Sequence, residues 1–98
     1  MSMFAEQVES AAVQIERFLR TRFRIAADDT GFTRRANLWE EGYVDSVGVV
    51  EVIEFLERTF AVRIPDDALF APEFTCVDGM AEFVTQSLET RDPLSIES

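Results

Sequence analysis

Apolar side chains in this sequence return every three or four residues and nowhere alternate, so the chain is built to bury helix faces rather than sheet faces. Phe4, Val8, Ala11 or Ala12, Ile15, Leu19 and Phe23 mark one side of a first helix from about Met3 to Phe23, and Phe18 widens the stripe. A second helix is expected from Ser46 to about Thr59. At about 100° per residue, Val49, Ile53, Leu56 and Phe60 fall within an arc of roughly 60° and form its core stripe. Val47, Glu51, Glu54 and Arg58 lie together on roughly the opposite side. A short third helix from Asp66 to about Ala71 is stopped by Pro72. A fourth follows the capping-box-like start Thr75-Cys76-Val77-Asp78, with Val77, Met80 or Ala81, Val84 and Leu88 on one face. These readings predict an all-α four-helix bundle of three longer helices and one short one.

The connections carry their own signals. From Ala26 to Leu38 the helical period breaks at Asp28-Asp29-Thr30-Gly31 and again at Arg34-Arg35-Ala36-Asn37. A connection that long is expected to pack against the bundle, here through Phe32, Leu38 and Trp39. The segment Phe60 to Pro65 reads as extended or turning, because proline disfavours helix in the residue before it. Beyond Glu89 the period stops, so 1–89 is expected to form one domain and 90–98 a disordered tail. Ninety-eight residues suit a single domain that buries roughly 65% of its unfolded surface, too little for a deep enclosed active site.

Composition narrows the chemistry. There is no histidine and no lysine, and Cys76 is the single cysteine. Serine–histidine hydrolysis, Schiff-base chemistry, and histidine-ligated or paired-cysteine metal sites are therefore excluded. The four glycines, Gly31, Gly42, Gly48 and Gly79, are too scattered for a phosphate loop. Asp66-Asp67 and Glu40-Glu41 read as solvated caps rather than acid–base pairs. No catalytic residues and no metal are expected. Of the nine basic residues, all arginine, six lie in the first 35 positions against five acids; the remainder of the chain holds fourteen acids and three arginines. The net charge of −10 repels nucleic acid and anionic lipid and attracts basic protein surfaces. The sequence has no apolar run of membrane-spanning length, no signal-peptide pattern and no cysteine partner, which together suggest a cytoplasmic monomer.

Ser46 stands where a loop becomes an acidic helix. With Asp45 as the expected N-cap, its hydroxyl lies at the positive end of the helix dipole, poorly equipped to catalyse and well placed to be modified by another protein. Asp-Ser alone says little, since the pair is usually a plain helix start. The longer pattern is specific: Gly42-x-x-Asp45-Ser46-x-Gly48, then Val49-Val50-Glu51-Val52-Ile53, Leu56-Glu57, and Phe60-x-Val62-x-Ile64-Pro65. From about Leu38 to Val84 the chain resembles the acyl carrier protein superfamily.

That resemblance implies a 4′-phosphopantetheine arm joined to Ser46 by a phosphopantetheinyl transferase, its thiol then holding an acyl or aminoacyl thioester. It also implies partners: a loading ligase and downstream synthase or transferase enzymes. Asp45 would fix the turn and help the transferase recognise the serine. Glu51 matches a position where the family presents acid to basic partners. Val47 takes the place of the more usual leucine, and Val50 shares the partner-facing surface. Glu54 departs from the family, where an apolar residue is commoner. The Tyr43-Val44 pair, where peptidyl carriers commonly have Gly-Gly, makes the motif look more like that of discrete stand-alone carriers. Two other readings stay open: an aminoacyl or peptidyl carrier, and an unmodified acidic helical adaptor.

Overall fold

A computed structural model describes residues 3–65 and 71–90. Helix α1 runs Met3–Arg22 and buries Ala11, Ala12, Ile15 and Leu19, the face its spacing predicts. Helix α2 runs Ser46–Phe60, and Ala61, in the left-handed region at φ 54°, turns the chain out of it. A 3-10 turn occupies Pro72–Thr75, and helix α3 runs Val77–Thr90. Among the described residues the fold is thus all-helical, with three α-helices and no strand.

Helix α1 packs chiefly on α3, and the 3-10 turn also lies against α3, where Phe74 meets Phe83 edge to face at 4.9 Å. Between α1 and α2 the apolar contact is aromatic. Phe18 stacks on Phe55 at 4.1 Å, and Phe23 and Phe60 close the row edge-on. Such pairs combine large buried area with geometric preference, so they fix orientation as well as attraction.

That row rotates α2 relative to the expected stripe. The buried positions are Gly48, Val52, Leu56 and Phe60, whereas Val49 and Ile53 are half-buried. Apolar periodicity gave Gly48 no weight, yet Phe23 packs against it, and the stack on Phe55 pulls the same flank toward α1. Helix α3 buries Val77, Met80, Ala81 and Val84 as expected, but Leu88 is 42% exposed, and Thr85 is buried through a hydroxyl that donates to the Ala81 carbonyl.

One helix-start expectation changes, and another falls outside the described residues. The short helix expected over Asp66 to Ala71 lies almost wholly outside the described residues, as does the tail expected over 90–98 apart from Thr90, which ends α3; Pro72 opens the 3-10 turn. Thr75 does not cap α3. Its hydroxyl donates back to the Pro72 carbonyl at 2.7 Å, and the Cys76 thiol accepts the Gly79 N–H at 3.4 Å.

The long connection packs as Phe32 and Leu38 suggest, for both are buried. It is tied across the fold by two backbone bonds: the Leu38 N–H donates to the Thr75 carbonyl at 2.7 Å and the Asp78 N–H to the Arg34 carbonyl at 2.9 Å. Arg34 adds side-chain bonds to Glu9 and Glu16 of α1, and its hydrogen bond holds the Glu9 carboxyl below the usual range.

Candidate functional site

The approach to Ser46 is a series of locally satisfied turns. The Asn37 side-chain oxygen accepts the N–H groups of Trp39 and Glu40, a short polar side chain standing in for a backbone turn. The Val44 N–H donates to the Leu38 carbonyl at 3.1 Å. Gly42 takes φ 83°, a conformation that favours glycine, and this explains the first position of the motif. The Tyr43 hydroxyl donates to Asp29 Oδ1 at 3.0 Å, and the same oxygen accepts the Gly31 N–H. Burial of the ring, and then the bond to the Asp29 carboxylate, push the phenol above its ordinary pKa.

Asp45 is the N-cap of α2, with extended backbone and Oδ1 accepting the Gly48 N–H at 2.7 Å. Its carbonyl accepts the Val49 N–H at 2.9 Å, beginning the helix. Ser46 is the first residue of α2 and exposed. Gly48 is buried against Phe23 so closely that a Cβ there would lie 2.6 Å from Phe23 Cε1. The last motif glycine thus lets the end of α1 approach the first turn of α2.

The other expected site residues divide between two flanks. Val47 and Val50 are exposed, at 71% and 55%, and Glu54 is exposed with them. Glu51 is half-buried and held by Arg22, whose Nη2 donates to Oε2 at 2.7 Å while Nε pairs with Oε1. Sequence reasoning missed Arg22, which lies 29 residues from Glu51 and has no local pattern to connect them. Beside Ser46 is a groove of about 280 Å³ lined by Arg22, Phe23, Tyr43, Asp45, Val47 and Glu51, among others.

These features fit a phosphoryl attachment. The Ser46 hydroxyl is exposed, and a phosphate on the first helical residue lies at the positive dipole end near N–H groups that lack helical partners. The Asp45 carboxylate is anchored through one oxygen to the first turn of α2. Among the described residues there is no group of three or more His, Cys, Asp or Glu placed to hold a metal, and no helix long and apolar enough to cross a membrane.

A family model described as phosphopantetheine attachment site matches residues 14–84. Comparison with curated proteins and with solved structures gave no match.

Proposed function

Because the chain belongs to the phosphopantetheine attachment site family, whose domain holds 4′-phosphopantetheine covalently, we propose that it is a carrier protein with Ser46 as the attachment residue. One observation carries the assignment: Ser46 presents an exposed hydroxyl as the first residue of α2, inside the matched span and directly after the capping Asp45. In the attachment step Ser46 Oγ bonds to the pantetheine-bearing phosphorus of coenzyme A. The bond from that phosphorus to adenosine 3′,5′-bisphosphate breaks, and the hydroxyl proton passes to a base on the transferase. Once attached, the arm supplies a thiol that holds an acyl group as a thioester.

This chain's own part is presentation. Asp45 fixes the turn, the first N–H groups of α2 favour the phosphodiester charge, and the exposed helix face meets partner enzymes. We assign Val47, Val50, Glu51 and Glu54 to that face, for a phosphopantetheinyl transferase, an acyl-loading ligase and a downstream synthase or transferase. The reading is of a shuttle between separate enzymes, with catalysis on the partners.

The test is intact mass. Incubation with coenzyme A, Mg²⁺ and a broad-specificity phosphopantetheinyl transferase should add one phosphopantetheine to the folded wild type and none to Ser46→Ala. A folded wild type that gains no mass overturns the carrier reading, leaving the unmodified acidic adaptor in its place.

A further inference from the structure

The three glutamates of α2 are in three different situations. Glu57 Oε2 accepts the Ile64 N–H at 2.9 Å and holds the segment that leaves the helix. Glu51 is gripped on both oxygens by the guanidinium of Arg22, the last residue of α1. Glu54 is exposed and, among the described residues, has neither a hydrogen-bond nor an ion-pair partner.

Helix geometry places these differences on the surface. Val47, Val50 and Glu54 share an arc of roughly 60°, whereas Glu51 lies about 40° beyond Val47, on the side that faces α1. The exposed face beside Ser46 therefore consists of two valines and one unpaired carboxylate, with the exposed Arg58 one turn further along the helix. Its second carboxylate is already neutralised from within the chain. Arg22 is also braced by the Phe23 ring, 5.8 Å from its guanidinium. A planar guanidinium bonded to both carboxylate oxygens is the arrangement a partner's arginine would offer Glu51.

We propose that Arg22 is a specificity-determining residue that occupies Glu51 in place of a partner's cation, so that enzymes dock on Val47, Val50 and Glu54 and reach Glu51 only by displacing Arg22. This rests on the carrier reading above. The side chains of the pair are 52% and 32% exposed, so water and salt weaken it and exchange is open to a strong competitor. A partner that sets a cation over Glu51 without displacing Arg22 brings two like charges together. That repulsion selects against enzymes built for two open acids and favours those built for an apolar patch with one.

Loading by the transferase tests this with charge-matched variants. Arg22→Gln removes the cation that covers Glu51. Arg24→Gln makes the same change in net charge two residues away, at an exposed side chain outside the pair. For a transferase with a basic docking face, kcat/KM at low salt should rise about threefold or more in Arg22→Gln and much less in Arg24→Gln, with the gain fading as salt screens it. No gain in Arg22→Gln, or an equal gain in Arg24→Gln, overturns the proposal. A direct readout covers the case in which Arg22→Gln fails to fold. In the wild type the Arg22 Nε proton should exchange slowly, and added transferase should speed that exchange as the pair opens. Unchanged protection in the complex overturns the displacement. Absence of any Ser46 loading overturns the carrier reading itself, an outcome distinct from normal loading with kinetics indifferent to Arg22.

Discussion

Gly48 owes its place to the ring it faces. A Cβ there would press on Phe23 at 2.6 Å, and the ring is itself braced edge-on by Phe18. Alanine would otherwise gain about 1 kcal/mol in a helix interior, while overpacking costs about 1–3 kcal/mol, so Gly48→Ala should destabilise slightly on balance. With Phe23→Ala already present only the tighter contact to Asp45 Oδ1 at 3.3 Å remains, and Gly48→Ala should then stabilise. A double-mutant cycle by urea unfolding checks that reversal of sign. Asp45 is separable in another way. Asp45→Ala should cost about 0.5–2 kcal/mol through the lost cap and slow loading of Ser46, whereas Asp45→Asn keeps the cap and should be nearly neutral in stability. If loading by Asp45→Asn stays at the wild-type rate, the carboxylate serves only as a cap. Tyr43 gives a pH signature: its phenol is raised first by burial and then by Asp29. The protonated form is favoured in the fold, so this stability is present below the ordinary tyrosine pKa and is lost as pH rises through the folded value. Phenolate absorbance should report a midpoint above that of free tyrosine, and Asp29→Asn should lower it without restoring the free value, because burial remains.

At the scale of elements, the position of α2 was legible and its rotation was not. Asp45 and the glutamate-rich run after Ser46 mark the helix start through cap chemistry, which is local. Which side faces inward depended on aromatic rings contributed by α1, 37 residues away in the chain for the Phe18–Phe55 stack. Glycine carries no apolar signal, so the buried edge at Gly48 left no mark in the periodicity. The start of α3 failed for a related reason. Thr75 looks like a cap by residue type, but the 3-10 turn opened by Pro72 takes its hydroxyl and leaves Cys76 at the capping position. The rotation has a consequence for stability. Leu56, fully buried, should cost about 2–5 kcal/mol when changed to alanine, and half-buried Ile53 distinctly less. Val47→Ala should stay within about 0.5 kcal/mol while still impairing partner handling. Equal costs at Leu56 and Ile53 in denaturant titrations would restore the face expected from periodicity alone.

The whole molecule ties the loop before Ser46 to the start of α3. All-helical class, two long helix boundaries and the docking of Phe32 and Leu38 could be read from spacing. The two backbone bonds that clamp the loop could not, because they join Leu38 to Thr75 and Arg34 to Asp78 through groups every residue possesses. Side-chain chemistry leaves no trace of such a tie; only the packed fold brings the partners together. A loop anchored at the start of α3 cannot swing independently of the bundle, so the residues that lead to Ser46 are held in one geometry. Native-state hydrogen exchange distinguishes an anchored loop from a loose one, because amides that open only with the fold exchange at the cost of global unfolding. The Leu38 and Asp78 amides should therefore match those of buried positions in α1 and α3, while the Gly42 amide, bonded within its turn to the Trp39 carbonyl at 3.2 Å, should exchange by cheaper local opening. Attaching the arm at Ser46 should leave the Leu38 and Asp78 rates unchanged if the clamp is built into the unmodified fold. Fast exchange at Leu38 before modification and slow exchange after it would instead mean that the loop is ordered by the arm.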